Sequence, residues 1–332
     1  MGFTWQWLRM LVYPLLITYL TVPLLVYLSP QLQRAMVFLT LVRLPFPNYN
    51  DLRSHGVSYS GRNFYISNDQ HRLGLWQVLP MQVQSEAEPV SSSQWESLFS
   101  LPGYPIVLYL HGNAFDRSAG HRVELYNVLA ENNYHVVALD YRGYGDSSGW
   151  PDEEGVVSDS VLVFDWLRKR AGSNPIFVWG HSLGTAIGTK AVVDLCADGR
   201  CPSGLVLESP FNNLHEAVVH HPLGLPYNWW PWFDDIFVHP MRANGLQMNT
   251  DERISDVHCP VLILHAQDDH IVPFKLAKKL EAMARQARVE VAFHEFDHPR
   301  NYKHKFICRA PELPAIIRNF VDKCSPDWRR KS

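Results

Sequence analysis

The sequence is poor in the features that mark several large protein classes. It has 5 cysteines among 332 residues, none of them in a C-x-x-C pair, and no N-x-S/T glycosylation sequon. Lys and Arg form no basic block, and the formal net charge is −3. The sparse cysteines do not indicate a disulfide framework. We expect Cys196 and Cys201 to be separate thiols, although they could pair in an oxidising compartment. The scattered charge gives no support for a nucleic-acid partner.

Metal catalysis is the alternative that 16 histidines raise. The segment HEAVVH, from His215 to His220, resembles the zinc motif H-E-x-x-H but is one residue too long. Two ligands five residues apart do not share one face of a helix. We therefore expect no metal ion, and nothing in the sequence indicates another cofactor.

A long uncharged run lies near the N-terminus. No charged residue or histidine occurs between Arg9 and Arg34, and Met10–Leu28 is dense in Leu, Val, Ile and Tyr. About 20 apolar residues cross a bilayer as a helix, so the run predicts a membrane anchor. The alternatives are a buried helix and a cleaved signal peptide, whose apolar region is shorter, about 7–15 residues, and ends in a small-x-small site. The next apolar stretch, Ala35–Phe46, is too short to span and is expected in the interface or beneath the domain.

From about residue 48 the composition is that of a globular domain. GVSYSGRNFYI and HRLGLWQVL predict two strands of a hairpin-like start, and residues 80–104 predict a loop. Short apolar runs such as PIVLYL, YHVVALD, PIFVWG, GLVLES and PVLILH then alternate with segments of helical spacing. This alternation is typical of a mostly parallel central sheet flanked by helices, with ligands beyond the carboxyl ends of the strands. We predict an α/β domain over residues 48–332, preceded by an anchor and interfacial segment over residues 1–47.

One segment interrupts this rhythm and predicts a lid-like insert over residues 211–250. Its centre is crowded with large aromatic side chains: Trp229, Trp230, Trp232 and Phe233. These residues either pack the insert onto the domain, or line an acyl-chain channel and touch the bilayer. Tryptophan suits a membrane interface because its ring is apolar and its N–H can stay hydrated.

Two segments, GDSSG and GHSLG, fit the G-x-S-x-G spacing that carries a serine nucleophile in many hydrolases. Such a serine lies on a strained turn that leads directly from a strand into a helix. GHSLG has this context, because an apolar run precedes it and a helical pattern follows it. GDSSG comes four residues after a strand and is followed by Trp-Pro. We therefore predict that Ser182 is the nucleophile and that Ser147 belongs to a turn.

The acid and the histidine of a triad should follow later strands, in that order. PVLILHAQDDHIVP offers Asp268 and Asp269 after one strand, and we favour Asp269. The other aspartate is expected to cap the helix that begins near Pro273. After the last strand, His304 is favoured over His298, because it precedes an apolar turn and the final helix.

An acyl-transfer site also needs donors for the oxyanion. The backbone N–H of Leu183 follows the nucleophile and is one candidate. The other is the N–H of Asn113, since HGN ends the first central strand and Gly112 permits a tight turn. His111 is expected to brace this loop.

At this point the chain resembles a known family. The segments HGNAFDRSAGHRVELYNVLAENNYHVVALDYRGYGDS, VFDWLRKRAGSNPIFVWGHSLGT, CPVLILHAQDDHIVPF and YKHKFICRAPELP are similar to those of the α/β-hydrolase domain-containing protein 12 family, over nearly the whole chain. Its members are lysophosphatidylserine lipases that also cleave monoacylglycerols. The resemblance implies an α/β-hydrolase fold and places the family's triad on Ser182, Asp269 and His304. It also implies an anchor in the endoplasmic reticulum membrane with a lumenal catalytic domain.

The sequence thus predicts a membrane-anchored serine hydrolase acting on esters of lysophospholipids and monoacylglycerols. A thioesterase that removes acyl groups from proteins would use the same triad and is the alternative enzyme. An inactive hydrolase fold kept as a membrane-bound scaffold is the alternative outside enzymes. Head-group preference and oligomeric state stay open.

Overall fold

The structure is a computed structural model of the chain. It describes residues 2–326 apart from residues 44, 46, 69, 85–90 and 221–223, and for residues 2–7 it describes the backbone alone. Parts of three predicted segments, the loop 80–104, the stretch 35–46 and the insert 211–250, lie outside the described residues.

A single mixed sheet forms the centre of the described chain. Its strands are β1 (Gly61–Ser67), β2 (Arg72–Val78), β3 (Ile106–Leu110), β4 (His135–Asp140), β5 (Ile176–His181), β6 (Gly204–Glu208), β7 (Val261–Ala266) and β8 (Val291–Phe296). Their order across the sheet is β1-β2-β4-β3-β5-β6-β7-β8. β2 pairs antiparallel with β1 and with β4, and the remaining pairs are parallel. The predicted hairpin-like start and the mostly parallel sheet are confirmed.

Helices cover both faces of the sheet. The helices of the described chain are α1 (Gly2–Leu28), α2 (Pro30–Val37), α3 (Ser92–Ser97), α4 (Gly120–Glu131), α5 (Glu153–Arg168), α6 (Leu183–Ala197), α7 (Leu214–His220), α8 (His239–Ala243), α9 (Thr250–Arg253), α10 (Phe274–Gln286) and α11 (Leu313–Cys324). Buried side chains of α5, α6 and α10 pack in one apolar cluster, and those of α4 and α11 in a second.

The strands separate these two clusters because successive side chains point to opposite faces. In β3, Ile106, Leu108 and Leu110 belong to the first cluster, whereas Val107 and Tyr109 belong to the second. All five are at most 2% exposed. β3 is thus apolar on both faces because a helical layer covers each face of the sheet, as the sequence predicted.

The prediction of a loop over residues 80–104 is wrong in one part. Residues 92–97 form the short helix α3, which begins with a capping box. The Ser91 hydroxyl accepts a hydrogen bond from the Gln94 N–H, and the Gln94 side chain accepts one from the Ser91 N–H. The Ser-rich composition that predicted a loop therefore contains a helix start signal.

The N-terminal segment is joined to the domain. Leu8–Leu28 of α1 is long and apolar enough to cross a membrane, and the described residues contain one such helix. Its last turns pack on the insert, where the Tyr19 ring stacks on Tyr227 at 4.8 Å between centroids. After α2, Phe38 is 1% exposed. The middle of the Ala35–Phe46 stretch thus packs on the domain, one of the two positions expected for it, whereas Leu41 is 85% exposed.

The insert over residues 211–250 contains α7, α8, the start of α9 and one π-helical turn (Asp234–Val238). Of its aromatic side chains, Phe233 is buried and Trp230 donates a hydrogen bond to the Tyr19 hydroxyl. Trp229 and Trp232 are 71% and 64% exposed. Trp230 and Phe233 therefore pack the insert, whereas Trp229 and Trp232 lie on the surface.

The expectation that Cys196 and Cys201 are separate thiols is wrong. They form a disulfide at the end of α6, with 4.2 Å between their Cα atoms. The chain reverses between them through Gly199, whose φ is +70° and therefore suits a residue without a side chain. This reversal brings together two cysteines whose spacing alone did not predict a pair.

We expect Cys201→Ser to lower the free energy of unfolding by about 2 kcal/mol, because the disulfide closes a short loop in the unfolded chain. Thermal unfolding of the detergent-solubilised protein without reductant measures this change. Cys324→Ser, which removes a free and half-buried thiol, is the matched control. A thiol titration of the denatured, unreduced protein that finds five free thiols would contradict the pairing.

Candidate active site

Ser182 lies on the turn between β5 and α6. Its φ of 52° and ψ of −117° place it in a strained region of the backbone that residues with side chains rarely adopt. The Ser182 N–H donates to the Glu208 carbonyl at 2.9 Å, and the Ser182 carbonyl accepts from the N–H and the hydroxyl of Thr185. These bonds hold the strained turn and leave the Ser182 side chain at the end of the sheet.

The two glycines of GHSLG are required by close packing. A Cβ on Gly184 would clash with the carbonyl of Leu110 in β3, and a Cβ on Gly180 would clash with the carbonyl of Gly184. The absence of these side chains lets α6 lie directly against the ends of β3 and β5. This strand–turn–helix context is the one from which the sequence analysis selected Ser182.

Ser147, in the other G-x-S-x-G match, is a turn residue. Its hydroxyl donates to the Asp140 carbonyl at 2.7 Å and accepts from the Gly74 N–H at 2.8 Å. A side chain that is 9% exposed and bonded on both sides serves to join the turn to the sheet. The neighbouring Asp146 pairs with Arg117 at 2.9 Å.

The structure brings together Asp269 and His304. Nδ1 of His304 donates to Oδ2 of Asp269 at 2.7 Å, and both side chains are at most 7% exposed. Oδ1 of Asp269 accepts from the N–H groups of Ile271 and Val272, each at 2.9 Å. Burial alone would raise the pKa of Asp269, but its electrostatic interactions and hydrogen bonds with His304 and His265 lower the pKa well below its usual range. Asp269 is therefore a fixed anion that orients the imidazole.

The other two triad candidates, Asp268 and His298, do not take part in the Asp269–His304 pair. Asp268 does not cap α10, as was expected of the second aspartate. Its carboxylate accepts from the N–H of Lys303 at 3.0 Å and so holds the loop that carries His304. That loop needs support, because Asn301 and Lys303 both have positive φ. His298 is exposed on a short turn and does not contact Asp269.

The loop after β3 carries Asn113. As expected, His111 braces this loop: it is fully buried, and its Nδ1 donates to the Gly112 carbonyl at 2.7 Å. The Asn113 carbonyl accepts from the Tyr144 hydroxyl and from the Leu39 N–H, each at 2.9 Å. Leu183 is the first residue of α6, where backbone N–H groups have no partner within the helix. Both candidate oxyanion donors thus belong to residues beside Ser182 whose backbones are held in place.

Two cavities meet at Ser182 and Asn113. The larger has a volume of about 110 Å³ and a mostly apolar wall, formed by side chains of α2, the insert and the turn before α10: Met36, Val37, Phe211, Leu214, Ala217, Val218, Met241, Met248, Ile271 and Val272. The smaller, of about 40 Å³, contains His304, residues of the β3–α4 loop, and polar side chains of α4, β5 and the loop after β8. The nucleophile position therefore lies between an apolar and a polar compartment.

Two buried residues of this site were missed by the sequence analysis. Nε2 of His181 donates to the His304 carbonyl at 2.9 Å. Glu208 is 3% exposed, and its carboxyl accepts from the Trp179 indole at 2.8 Å. Burial raises the pKa of Glu208 from 4.5 to about 7, opposed by the Trp179 hydrogen bond and reinforced by the charge of Asp269. His181 ends the apolar strand β5, and Glu208 ends the apolar strand β6. A polar residue at the end of an apolar strand was the sequence signal that could have identified them.

A known protein family and known structures share features with this chain. A family model described as serine aminopeptidase, S33, matches residues 104–234. An alpha-beta hydrolase from Vibrio vulnificus has a TM-score of 0.65 at 19% identity and covers 90% of this chain and 93% of its own. The esterase Pf2001 of Pyrococcus furiosus has a TM-score of 0.59 at 18% identity, over 84% and 94% of the two chains. The predicted fold is thus confirmed, and the chain has the fold of the α/β hydrolases.

Relatives with higher sequence identity define the family within this class. Lysophosphatidylserine lipase ABHD12 of Xenopus tropicalis is 42% identical over 325 residues, which are 96% of this chain and 83% of the relative. The protein of the same name from Danio rerio is 40% identical, over 96% and 85%. Protein ABHD12B of Homo sapiens is 36% identical, over 79% and 72%. The chain belongs to the ABHD12 family and is a serine carboxylic-ester hydrolase.

We expect the stability difference between Glu208→Gln and wild type to depend on pH. Since the folded-state pKa is raised from 4.5 to about 7, ionisation on raising the pH destabilises the folded wild type. The contribution of the protonated Glu208 carboxyl to the stability of the folded state is complete below about pH 4.5 and is lost as the pH rises through 7. Glutamine does not ionise, so from pH 5 to 8 the variant should gain up to about 3 kcal/mol relative to wild type.

Urea unfolding of both proteins at several pH values measures this difference. Glu131→Gln, at the exposed end of α4, is the matched control and should show no such gain. Parallel pH profiles for wild type and Glu208→Gln would rule out the raised pKa.

Proposed function

We propose that the protein is a membrane-anchored hydrolase that cleaves acyl esters of lysophospholipids, lysophosphatidylserine among them, and of monoacylglycerols. The observation that carries the proposal is the position of Ser182, on a strained turn between an apolar cavity and the pocket that contains His304. The relatives named lysophosphatidylserine lipase support this substrate class.

Ser182, Asp269 and His304 form the proposed triad. Because Nδ1 of His304 donates to Asp269, the Nε2 lone pair of the neutral ring is left to accept the Ser182 proton. Ser182 Oγ then attacks the ester carbonyl, and the anion of Asp269 stabilises the imidazolium that forms. The imidazolium returns the proton to the leaving alcohol, and water hydrolyses the acyl-enzyme by the same steps.

The backbone N–H groups of Asn113 and Leu183 are the proposed oxyanion donors. Leu183 stands at the N-terminus of α6, where the helix dipole favours a developing negative charge. The Asn113 backbone is held by two hydrogen bonds to its carbonyl. Donors fixed before the reaction stabilise the transition state without a reorganisation cost.

The apolar cavity is the proposed acyl-chain site. Ser182 lies in its wall, and the other lining residues are Leu, Ile, Val, Met and Phe side chains in the main. We propose that the insert over residues 211–250 acts as a lid, because α7 and α8 supply part of this wall. A single fatty acyl chain, as in lysophospholipids and monoacylglycerols, suits one narrow cavity of this kind.

The membrane contact is the proposed role of α1 together with exposed residues of the insert. Most described side chains of α1 before Tyr19 are exposed and apolar. Leu225, Trp229 and Trp232 are exposed on the insert next to the end of this helix. Indole and leucine side chains at this level suit the lipid interface. The disulfide between Cys196 and Cys201 favours an oxidising compartment, which supports an endoplasmic reticulum anchor with a lumenal catalytic domain.

We expect Ser182→Ala to abolish labelling by a fluorophosphonate probe and to lower ester turnover by several orders of magnitude, since it removes the nucleophile. The measurement is gel-based labelling and release of fatty acid from lysophosphatidylserine and monoacylglycerol. Ser147→Ala is the matched control, because it alters the other G-x-S-x-G serine, and it should keep the label. Persistent labelling of the Ser182 variant would refute the assignment. Turnover of acyl-thioesters alone would favour the thioesterase alternative.

We expect the full-length protein to stay in the membrane pellet after an alkaline carbonate wash, as a helix that spans the bilayer does. In intact microsomes a C-terminal tag should resist added protease until detergent is added. Release into the supernatant would exclude a spanning helix, and digestion without detergent would place the domain on the cytosolic side.

A further inference from the structure

The smaller cavity beside Ser182 is lined by cationic and polar groups. Its wall contains Arg122 of α4, Lys305 of the loop after β8 and the two imidazoles of His121 and His181. Asn113 and Ser182 belong to this wall as well as to that of the apolar cavity. A bound ester would therefore have an apolar compartment on one side of its carbonyl and a basic one on the other.

Arg122 is a buried cation without a counter-charge. Its side chain is 2% exposed, and its guanidinium donates to the backbone carbonyls of Asp116 and Ala114. No carboxylate of the described residues lies within 4 Å of it, and its Nε has no hydrogen-bond partner among them. A buried charge is costly unless it is paired, so the field of Arg122 favours an anion in the adjoining cavity.

Lys305 adds a second unpaired cation. It is half-buried, and its ammonium lies 5.8 Å from the centroid of the Phe115 ring. No carboxylate of the described chain lies within 4 Å of it, whereas nearby Arg300 and Arg309 pair with Glu312 and Glu124. Burial and repulsion by Arg122 lower the pKa of Lys305. An anion between the two cations would relieve that repulsion.

Two histidines of this pocket, His121 and His181, are neutral donors or acceptors. Burial and the charge of Arg122 lower the pKa of His121, and burial and His304 lower that of His181. Nε2 of His121 and Nδ1 of His181 have no partner among the described residues. They can therefore hydrogen-bond a polar group without adding a charge of their own.

We propose that the pocket of Arg122 and Lys305 binds the phosphodiester of a lysophospholipid headgroup, with Lys305 as the direct contact. The inference rests on the proposed function, because it assumes that Ser182 attacks the ester at the junction of the two cavities. In a glycerophospholipid the phosphate is only a few bonds from the acyl ester, so an anion site beside the nucleophile suits it. A monoacylglycerol has the same acyl ester without the anion.

The test compares lysophosphatidylserine with a monoacylglycerol of the same acyl chain, each presented to the full-length protein in the same detergent. Lys305→Met keeps the length of the side chain and removes its charge. We expect it to lower the ratio of kcat/KM for lysophosphatidylserine to that for monoacylglycerol by about tenfold or more, as for the loss of a charged hydrogen bond. The loss should fall mainly on KM, and Lys305→Arg should restore most of the ratio.

Lys303→Met is the matched control, because Lys303 is two residues away, has an exposed side chain and does not line the pocket. Its ratio should stay within about twofold of wild type, as expected for the loss of an exposed charge that does not line the pocket. An unchanged ratio in Lys305→Met, or an equal change in Lys303→Met, would overturn the headgroup site and leave the proposed function standing. A wild type that hydrolyses neither ester would overturn both.

Discussion

The close contact of α6 with the end of β3 is the constraint on which the site depends. Gly184 lies against the carbonyl of Leu110 with no room for a Cβ. Because α6 begins at this contact, Ser182 is left on a turn with positive φ, held by its N–H bond to the Glu208 carbonyl. The loop that carries Asn113 starts directly after Leu110, the last residue of β3. One backbone contact therefore places the nucleophile and the candidate oxyanion donors together.

Polar residues at or just after the neighbouring strand ends support this arrangement. Asp269 is held by two backbone N–H groups, Asp268 holds the loop that carries His304, and His181 donates to the His304 carbonyl. The buried carboxylate of Asp269 and the buried imidazole of His181 would be costly without their partners. Their partners are groups of the site, so they stabilise one geometry of its loops.

The sequence predicted those features that follow from local pattern. Apolar runs and helical spacing predicted the strands and the helices that alternate with them, and the strand–turn–helix context selected Ser182. What it did not predict depends on chain reversals and on partners distant in sequence. The Cys196–Cys201 pair needs the reversal at Gly199, and the role of Asp268 needs the loop at Lys303. The raised pKa of Glu208 follows from burial beside Asp269, which lies 61 residues further along the chain.

The N-terminal segment connects the proposed anchor to the site. The Leu39 N–H donates to the Asn113 carbonyl, and residues of α2 line the apolar cavity. Gln33, fully buried, donates to the Val26 carbonyl at the end of α1 and accepts from Asn244 in the insert at 2.7 Å. The composition of the chain therefore changes near residue 47, but the segments on either side of this boundary pack together. If α1 spans a bilayer, this short connection sets the direction from which an acyl chain reaches Ser182, because Met36 and Val37 of the cavity wall lie in α2, which begins two residues after the end of α1.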